Sequence, residues 1–221
     1  MPNLGITLAV LAAAYLLGSI PVGLIIVRLK TGKDIRQVES GRTGGTNAMR
    51  AAGFAAGFTT AMLDIAKSAS AVWVARALAP DVAWLHALAP VFAVLGHNYS
   101  IFLAERKPEG GWRLRGGAGG APAAGGAVGL WWGSFLVIVP LGAAILYFVG
   151  YASVATLSVG VAALLIFGYR AWIYGEPWAY LLYGLLVEVL LIWALRPNIQ
   201  RLMNGTERLV GLRAQRARKK Q

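Results

Sequence analysis

Apolar residues run through this chain in long, nearly unbroken blocks whose lengths predict membrane-spanning helices. The first covers Leu4 to Val27 and is interrupted near its end by Gly18, Ser19 and Pro21. A spanning helix tolerates such residues where neighbours re-satisfy the freed backbone. The second, Phe54 to Leu78, holds Asp64 and Lys67; spaced i and i+3 on one helical face, the two can pair. After the turn Ala79-Pro80-Asp81 comes a third block, Val82 to Leu103, with His97-Asn98-Tyr99-Ser100 toward its end. Ala121 to Trp132 is apolar but short, so its span begins inside the preceding glycine run or is partly re-entrant. Gly133 to Gly150, Ser153 to Tyr174 and Trp178 to Leu195 complete about seven spans, with Trp131 and Trp132 as interface anchors. The expectation is an all-α, polytopic membrane protein.

The gaps between blocks carry the charge. Of the 21 Lys and Arg residues, all but Lys67, Arg76 and Arg170 fall in three polar segments: the loops at 28–53 and 104–120, and the run that follows Leu195. Basic loops stay on the cytoplasmic side, which sets the N-terminus outside and the C-terminus in the cytoplasm. The expected organisation is a membrane domain over 1–200 followed by a basic cytoplasmic tail over 201–221, lying on the membrane surface or disordered.

Composition narrows the class. The chain is 57% apolar and 14% charged, against about 25% charged in soluble domains. The net charge of +12 follows the positive-inside bias and does not mark a nucleic-acid binder. With no cysteine, disulfides, thiol catalysis and thiolate metal sites are excluded. The N-terminal block lacks a basic flank and a small-residue cleavage site, so it reads as a retained span and not a signal peptide.

Chemistry concentrates in a few places. Ser40-Gly-Arg-Thr-Gly-Gly-Thr-Asn-Ala-Met-Arg50 combines approachable backbone, hydroxyl and amide donors and two fixed cations, a composition suited to wrapping phosphate. Read blandly, it is a polar loop with glycines for turns. Arg115-Gly-Gly-Ala-Gly-Gly120 can form a phosphate nest from backbone donors, or be a flexible linker. It is not a P-loop, since no Gly-Lys-Ser/Thr follows. His97, beside Asn98 and near the glycine run, is either a satisfied interface histidine or part of a site. His86, without polar company in the sequence, is assigned no role. Asp64, Lys67 and Glu188 are ionisable groups inside spans, where such groups default to functional roles; an internal ion pair is the preferred reading of Asp64 and Lys67. Asn198 to Glu207 can meet a substrate, and Ile199, Leu202 and Met203 have the spacing of a short surface helix.

Taken in order, these segments resemble the bacterial acyl-phosphate:glycerol-3-phosphate acyltransferases, the PlsY family. The resemblance rests on Gly18-Ser-Ile-Pro-Val-Gly23, Ser40 to Arg50, Leu63-Asp-Ile-Ala-Lys67, Gly96-His-Asn98, the loop from Arg115, Tyr151-Ala-Ser-Val-Ala-Thr156 and Arg196 through Glu207. It implies a seven-span fold in the bacterial inner membrane, transferring a fatty acyl group from acyl phosphate to the 1-hydroxyl of glycerol 3-phosphate to give lysophosphatidic acid. The partners implied are those two substrates and the bilayer, without nucleic acid. No cofactor or metal is implied, because the mixed anhydride is already activated.

By resemblance, Ser40, His97 and Asn198 are catalytic. Arg42, Asn47, Arg50, Arg115, Gly116, Gly117, Gly119, Ser153 and Thr156 bind substrate; Asp64, Lys67 and Glu207 are structural. The hydroxyl proton passes to His97 or to a substrate phosphate. Five features depart from the pattern, one being Gly120-Ala121-Pro122 in place of the family's Val-Ala-Thr. Ala118 stands where the family loop has its second lysine, Arg42 where it has asparagine, and Leu195 where the terminal motif has histidine. About ten residues around Glu105 to Leu114 are inserted before the loop. Arg42, Arg106 or Arg113 is the expected replacement for the missing cation. The alternatives are a weakened or inactive paralogue, or one using another polyol phosphate. A small transporter is a further reading, against which stands the lack of an internal repeat.

Overall fold

The computed structural model describes residues 3–218; Met1, Pro2 and residues 219–221, the end of the basic tail, lie outside the described residues. Helices dominate, as the apolar blocks predict: α1 (Leu4–Ser19), α2 (Val22–Thr31), α3 (Gly45–Ala52), α4 (Phe54–Leu78), α5 (Ala83–Asn98), α6 (Gly120–Leu130), α7 (Ser134–Ala144), α8 (Ala152–Tyr174), α9 (Ala179–Met203) and α10 (Gly211–Arg218). Three apolar stretches are long enough to cross a bilayer: Leu4–Thr31, α8 and α9. Only 33%, 39% and 33% of their most apolar windows are buried, so they turn most of their surface outward, as lipid contact requires. A π-helical turn, Ile145–Val149, prolongs α7 into a shorter apolar helix.

The structure departs from the sequence expectation in four places. The first block breaks at Ile20-Pro21 into α1 and α2, since Pro21 has no N–H to continue the ladder. The third block ends as a helix at Asn98, not Leu103. Here Tyr15 Oη donates to Tyr99 O (2.7 Å) and Ser100 Oγ to Ser19 O (2.5 Å), turning the chain into a strand. The fold is mostly helical, with one short sheet added. β1 (Ser100–Arg106) and β2 (Trp112–Arg115) form an antiparallel hairpin that contains the inserted residues. Its turn is closed by Gly110 N donating to Lys107 O (3.0 Å), with Gly110 and Gly111 at φ 92° and 82°, values that favour glycine. Finally, α9 continues to Met203, so Asn198, Ile199 and Leu202 belong to it and not to a separate surface helix. The tail turns back as α10, where Val210 N donates to Gly150 O (2.9 Å) and Arg213 lies 5.0 Å over Tyr151.

At the centre sits α6. Its 11 residues are too few to cross a bilayer alone, yet eight of them are buried. The sequence Gly-Ala-Pro-Ala-Ala-Gly-Gly-Ala-Val-Gly-Leu explains this. A Cβ at Gly125 would collide with Ile65 O and one at Gly126 with the Tyr183 hydroxyl, so small residues let α4 and α9 close on it. Short buried helices need their terminal carbonyls satisfied. Arg76 does so, donating to Gly129 O (3.0 Å) and Leu130 O (2.7 Å). Nearby, His86 meets Ala79 O (2.8 Å) and the Tyr180 hydroxyl (3.4 Å), the polar company its sequence neighbourhood did not reveal.

Close approach without side chains also joins α1 to α5: a Cβ at Gly18 would run into the Ala93 backbone. Gly18→Val is expected to cost about 1–3 kcal/mol of stability, read as a lowered thermal midpoint in detergent. Ala12→Val, on an exposed face of the same helix, is expected to leave the midpoint in place.

Candidate active site

The motifs converge where the α1–α2 break, α3, the glycine loop and the end of α9 meet. Lys67 is the centre of the convergence. Its Nζ lies 2.8 Å from Asp64 Oδ1, 3.0 Å from Ile20 O and 3.1 Å from His97 Nδ1. An ammonium donates and never accepts, so Lys67 donates to Ile20 O and His97 Nδ1 and pairs by charge with Asp64, whose Oδ1 also lies 3.5 Å from His97 Nδ1. His97 Nδ1 therefore accepts, and its proton sits on Nε2. This tautomer is assigned from the hydrogen-bond pattern. Asp64, Lys67 and His97 are 1%, 7% and 5% exposed, so the charges are shielded from lipid by one another, as buried charges require. The expected Asp64–Lys67 pair is present, with His97 as a third member.

His97 carries the order onward. Its carbonyl accepts from Gly117 N (2.9 Å), and Gly116 O accepts from Thr43 N (3.3 Å), so the glycine loop lies between α5 and the first motif. A Cβ at Gly116 would strike His97 O, and one at Gly117 would strike His97 Nε2. Those glycines are there for close approach. Gly119 differs: at φ 90° it turns the chain into α6, whose N-terminal N–H groups then face the site.

Within the first motif, Glu39 takes φ 48°, a left-handed conformation uncommon for a residue with a Cβ, and this sets Ser40 at the cavity wall. Asn47 is 3% exposed, and its Nδ2 donates to Ile35 O, Val38 O and Arg42 O at 3.2, 2.9 and 2.8 Å. Its amide nitrogen shapes the loop, while its Oδ1 is buried without a partner among the described residues. Arg42 ties the loop to α9. Pro197 frees Trp193 O, which Arg196 Nε takes (3.2 Å); Arg42 Nη2 donates to Ala194 O (2.6 Å) and Asn198 Oδ1 (3.1 Å), while Nη1 reaches Gly117 O (3.4 Å). Asn198 Nδ2 in turn donates to Glu207 Oε1 (2.9 Å), and Arg201 holds Glu207 Oε2 (3.1 Å). Glu207 thus holds Asn198 and Arg201 together. Burial pulls the Arg42 and Arg50 guanidiniums down from their ordinary value, the direction of any cation drawn from water.

Two cavities open on this framework. One, of about 510 Å³, is lined by Arg36, Arg42, Arg113, Arg115, Arg201 and Arg208. The other, of about 470 Å³, is largely apolar and runs past Phe58, Ile65, Ile138 and Val159. Its polar end holds Arg50, Ser153, Thr156 and the start of α6. Ser40, Arg42, Asn198 and Arg208 line both. A cationic chamber and an apolar groove therefore share one wall. Arg50 has no hydrogen bond or ion pair among the described residues, and Ser153 Oγ and both amide atoms of Asn98 are buried without a partner there.

Comparison with known proteins gives this arrangement its relatives. Residues 8–205 match the family described as Glycerol-3-phosphate acyltransferase. The chain belongs to that family. A Glycerol-3-phosphate acyltransferase of Thermus thermophilus is 37% identical over 205 residues, covering 93% of this chain and 96% of the relative. One from Rhodopseudomonas palustris is 35% identical over 208 residues, covering 94% and 98%. The crystal structure of PlsY (YgiH), an integral membrane glycerol 3-phosphate acyltransferase in its glycerol 3-phosphate form, superposes with a TM-score of 0.78 at 30% identity, covering 93% of this chain and 96% of that one. Its lysophosphatidic acid form gives 0.76 at 28% identity.

Every residue expected at the site is in or beside these cavities. Asn47 holds the loop through its amide nitrogen and also lines the groove, and His97 lines the groove with Lys67 at its Nδ1. Of the expected replacement cations, Arg42 reaches the glycine loop one residue before Ala118. Leu195, in place of the family histidine, is 2% exposed and helps wall the groove. Sequence reasoning missed Arg36 and Glu105. Arg36 binds Asp34 (2.6 Å), holding that carboxyl below its ordinary range, and Glu105 (2.9 Å), which also binds Arg115 (2.9 Å). Two acidic residues inside strongly basic loops were the available signal.

Lys67→Met strands a buried carboxylate and is expected to cost about 3–5 kcal/mol. The double variant Asp64→Asn, Lys67→Met is expected to recover most of that loss, with thermal unfolding of both as the check. If the single variant unfolds at the parental temperature, the buried trio does not hold the site.

Proposed function

We propose that this protein is a membrane acyltransferase that moves a fatty acyl group from acyl phosphate to the 1-hydroxyl of glycerol 3-phosphate, giving lysophosphatidic acid for phospholipid synthesis. The observation that carries the reading is the shared wall of the two cavities. A doubly anionic acceptor fits the arginine chamber, a fatty chain fits the apolar groove, and the reacting carbon lies where Ser40 and Asn198 border both. The family to which the chain belongs supports the same chemistry.

In this reading the acceptor hydroxyl attacks the acyl carbon while the bond to the donor phosphate breaks. Ser40 Oγ and the second N–H of Asn198 stabilise the carbonyl oxygen as charge develops. Arg50, with Ser153, Thr156 and the N-terminus of α6, holds the donor phosphate. Phosphate leaves carrying the hydroxyl proton on one of its own oxygens, because His97 has Nδ1 occupied by Lys67. Holding both substrates in line supplies much of the rate. No metal or cofactor enters the reaction. Ala118 favours one variant of this reading, in which another polyol phosphate is the preferred acceptor.

The topology we propose has seven spans, formed by α1–α2, α4, α5, α6 together with the glycine run that leads into it, α7 with its π-helical turn, α8 and α9. The N-terminus is outside and the C-terminus is in the cytoplasm of a bacterial inner membrane. The distribution of Lys and Arg supports this orientation. Purified protein in lipid, given acyl phosphate and glycerol 3-phosphate, is expected to release phosphate and form lysophosphatidic acid, measured by colorimetry and mass spectrometry. No turnover above background would remove the proposal. Arg50→Ala is expected to lower kcat/KM by about 100-fold or more with an unchanged thermal midpoint; parental kinetics would displace Arg50 from the site.

A further inference from the structure

Six arginines line the polar cavity, yet most are already engaged. Arg36 is held by Asp34 and Glu105, Arg115 by Glu105, Arg201 by Glu207 and Arg208 by Glu39 (3.4 Å). Arg42 is held by Ala194 O and Asn198 Oδ1. Arg113 alone among the six has no hydrogen bond or ion pair with a described residue, and it is exposed to the chamber.

The hairpin explains why it points there. Arg113 stands directly opposite Glu105 across the two strands, and directly opposite residues share a face. Arg115, two residues on, lies on that same face and is the diagonal neighbour of Glu105, which it binds. The carboxylate of Glu105 is thereby taken by Arg36 and Arg115. It latches the hairpin to the first motif and leaves its own cross-strand partner uncompensated. A fixed strand with one unpaired guanidinium facing an anion chamber is a built recognition element. The glycine loop beside it lacks a side-chain cation at Ala118.

We propose that Arg113, on the inserted hairpin, is a specificity-determining residue that binds the phosphate of the polyol-phosphate acceptor, with Glu105 as the positioning residue that latches the hairpin over the chamber. The inference rests on the acyltransferase reading above and deepens it: recognition of the acceptor is moved from the glycine loop to the insertion. Arg113 touches the non-reacting end of the acceptor. It contributes binding that is equal in the ground and transition states, and so acts on KM and not on kcat.

The test compares wild type, Arg113→Ala, Arg113→Lys and Glu105→Gln in lipid, with phosphate release measured against each substrate and glycerol 3-phosphate binding measured by calorimetry. Arg113→Ala is expected to raise the KM and Kd for glycerol 3-phosphate about 10- to 100-fold. Its kcat is expected to stay within about twofold, with the acyl phosphate KM and the thermal midpoint unchanged. Arg113→Lys restores part of the loss, since a point charge replaces a fork. Glu105→Gln raises the same KM by a smaller factor. The dependence of KM on salt is expected to be shallower in Arg113→Ala than in wild type, because an exposed charge is screened. Wild-type turnover with a parental acceptor KM and Kd in Arg113→Ala overturns this inference and leaves the acyltransferase reading intact. A fall in kcat alone overturns it too, by making Arg113 part of the chemistry. Wild type that binds glycerol 3-phosphate through Arg113 but transfers nothing upholds this inference and removes the reading of the reaction.

Discussion

One ammonium group organises the reactive end of this protein. Lys67 sits in the second long helix, where an uncompensated charge is costly; it pairs with Asp64 on its own helix and donates to Ile20 O at the α1–α2 break and to the ring of His97 on α5. Three segments distant in sequence are fixed relative to one another by a group that cannot be left unsatisfied. From His97 the order passes through its carbonyl to the glycine loop, from the loop to the first motif, and from Arg42 to Asn198 and Glu207 on the terminal motif. A continuous run of polar contacts thus crosses the bundle end. The expense of burying charge beside lipid makes that run strict.

The second constraint is steric. Between helices in lipid there is little hydrophobic gain to drive association, so close packing of small residues does much of the work. Gly18 and Gly125 let α1 meet α5, and α6 meet α4, backbone against backbone, and Gly126 makes room on α6 for the Tyr183 side chain of α9. Gly116 and Gly117 apply the same device at the site, seating the loop directly on His97. Glycine-rich sequence here marks contact as much as flexibility. The apolar groove survives because α6 is short and because α7 and α8 line its far side.

Much of this was legible in the residues. Long apolar blocks announced the helices, and Asp64 and Lys67 announced a pair by their spacing and location. The order of the motifs announced the family. What stayed hidden depended on contacts remote in sequence. Nothing near Asn47 indicates that its amide closes a loop on three carbonyls. His97 looked free to act as a base because the acceptor role of its Nδ1 is set by a lysine 30 positions away. The hairpin is hidden because its first strand opens with Ser100 to Leu103, the end of the third apolar block, and the remainder is short and charged, a weak strand signal. Glu105 looked like a solvated charge, although two arginines share it. The two departures, Arg42 and Ala118, become intelligible together once Arg42 is seen to reach both the glycine loop and α9.

The account stands on the two cavities serving one reaction, and a structure of the protein with bound lysophosphatidic acid tests that most directly. The product phosphate is expected among the arginines of the polar chamber, the ester carbon beside Ser40 and Asn198, and the acyl chain along the groove past Ile65 and Val159. A chain lying on the outer surface of the bundle, or a phosphate bound away from Arg42 and Arg113, would contradict it.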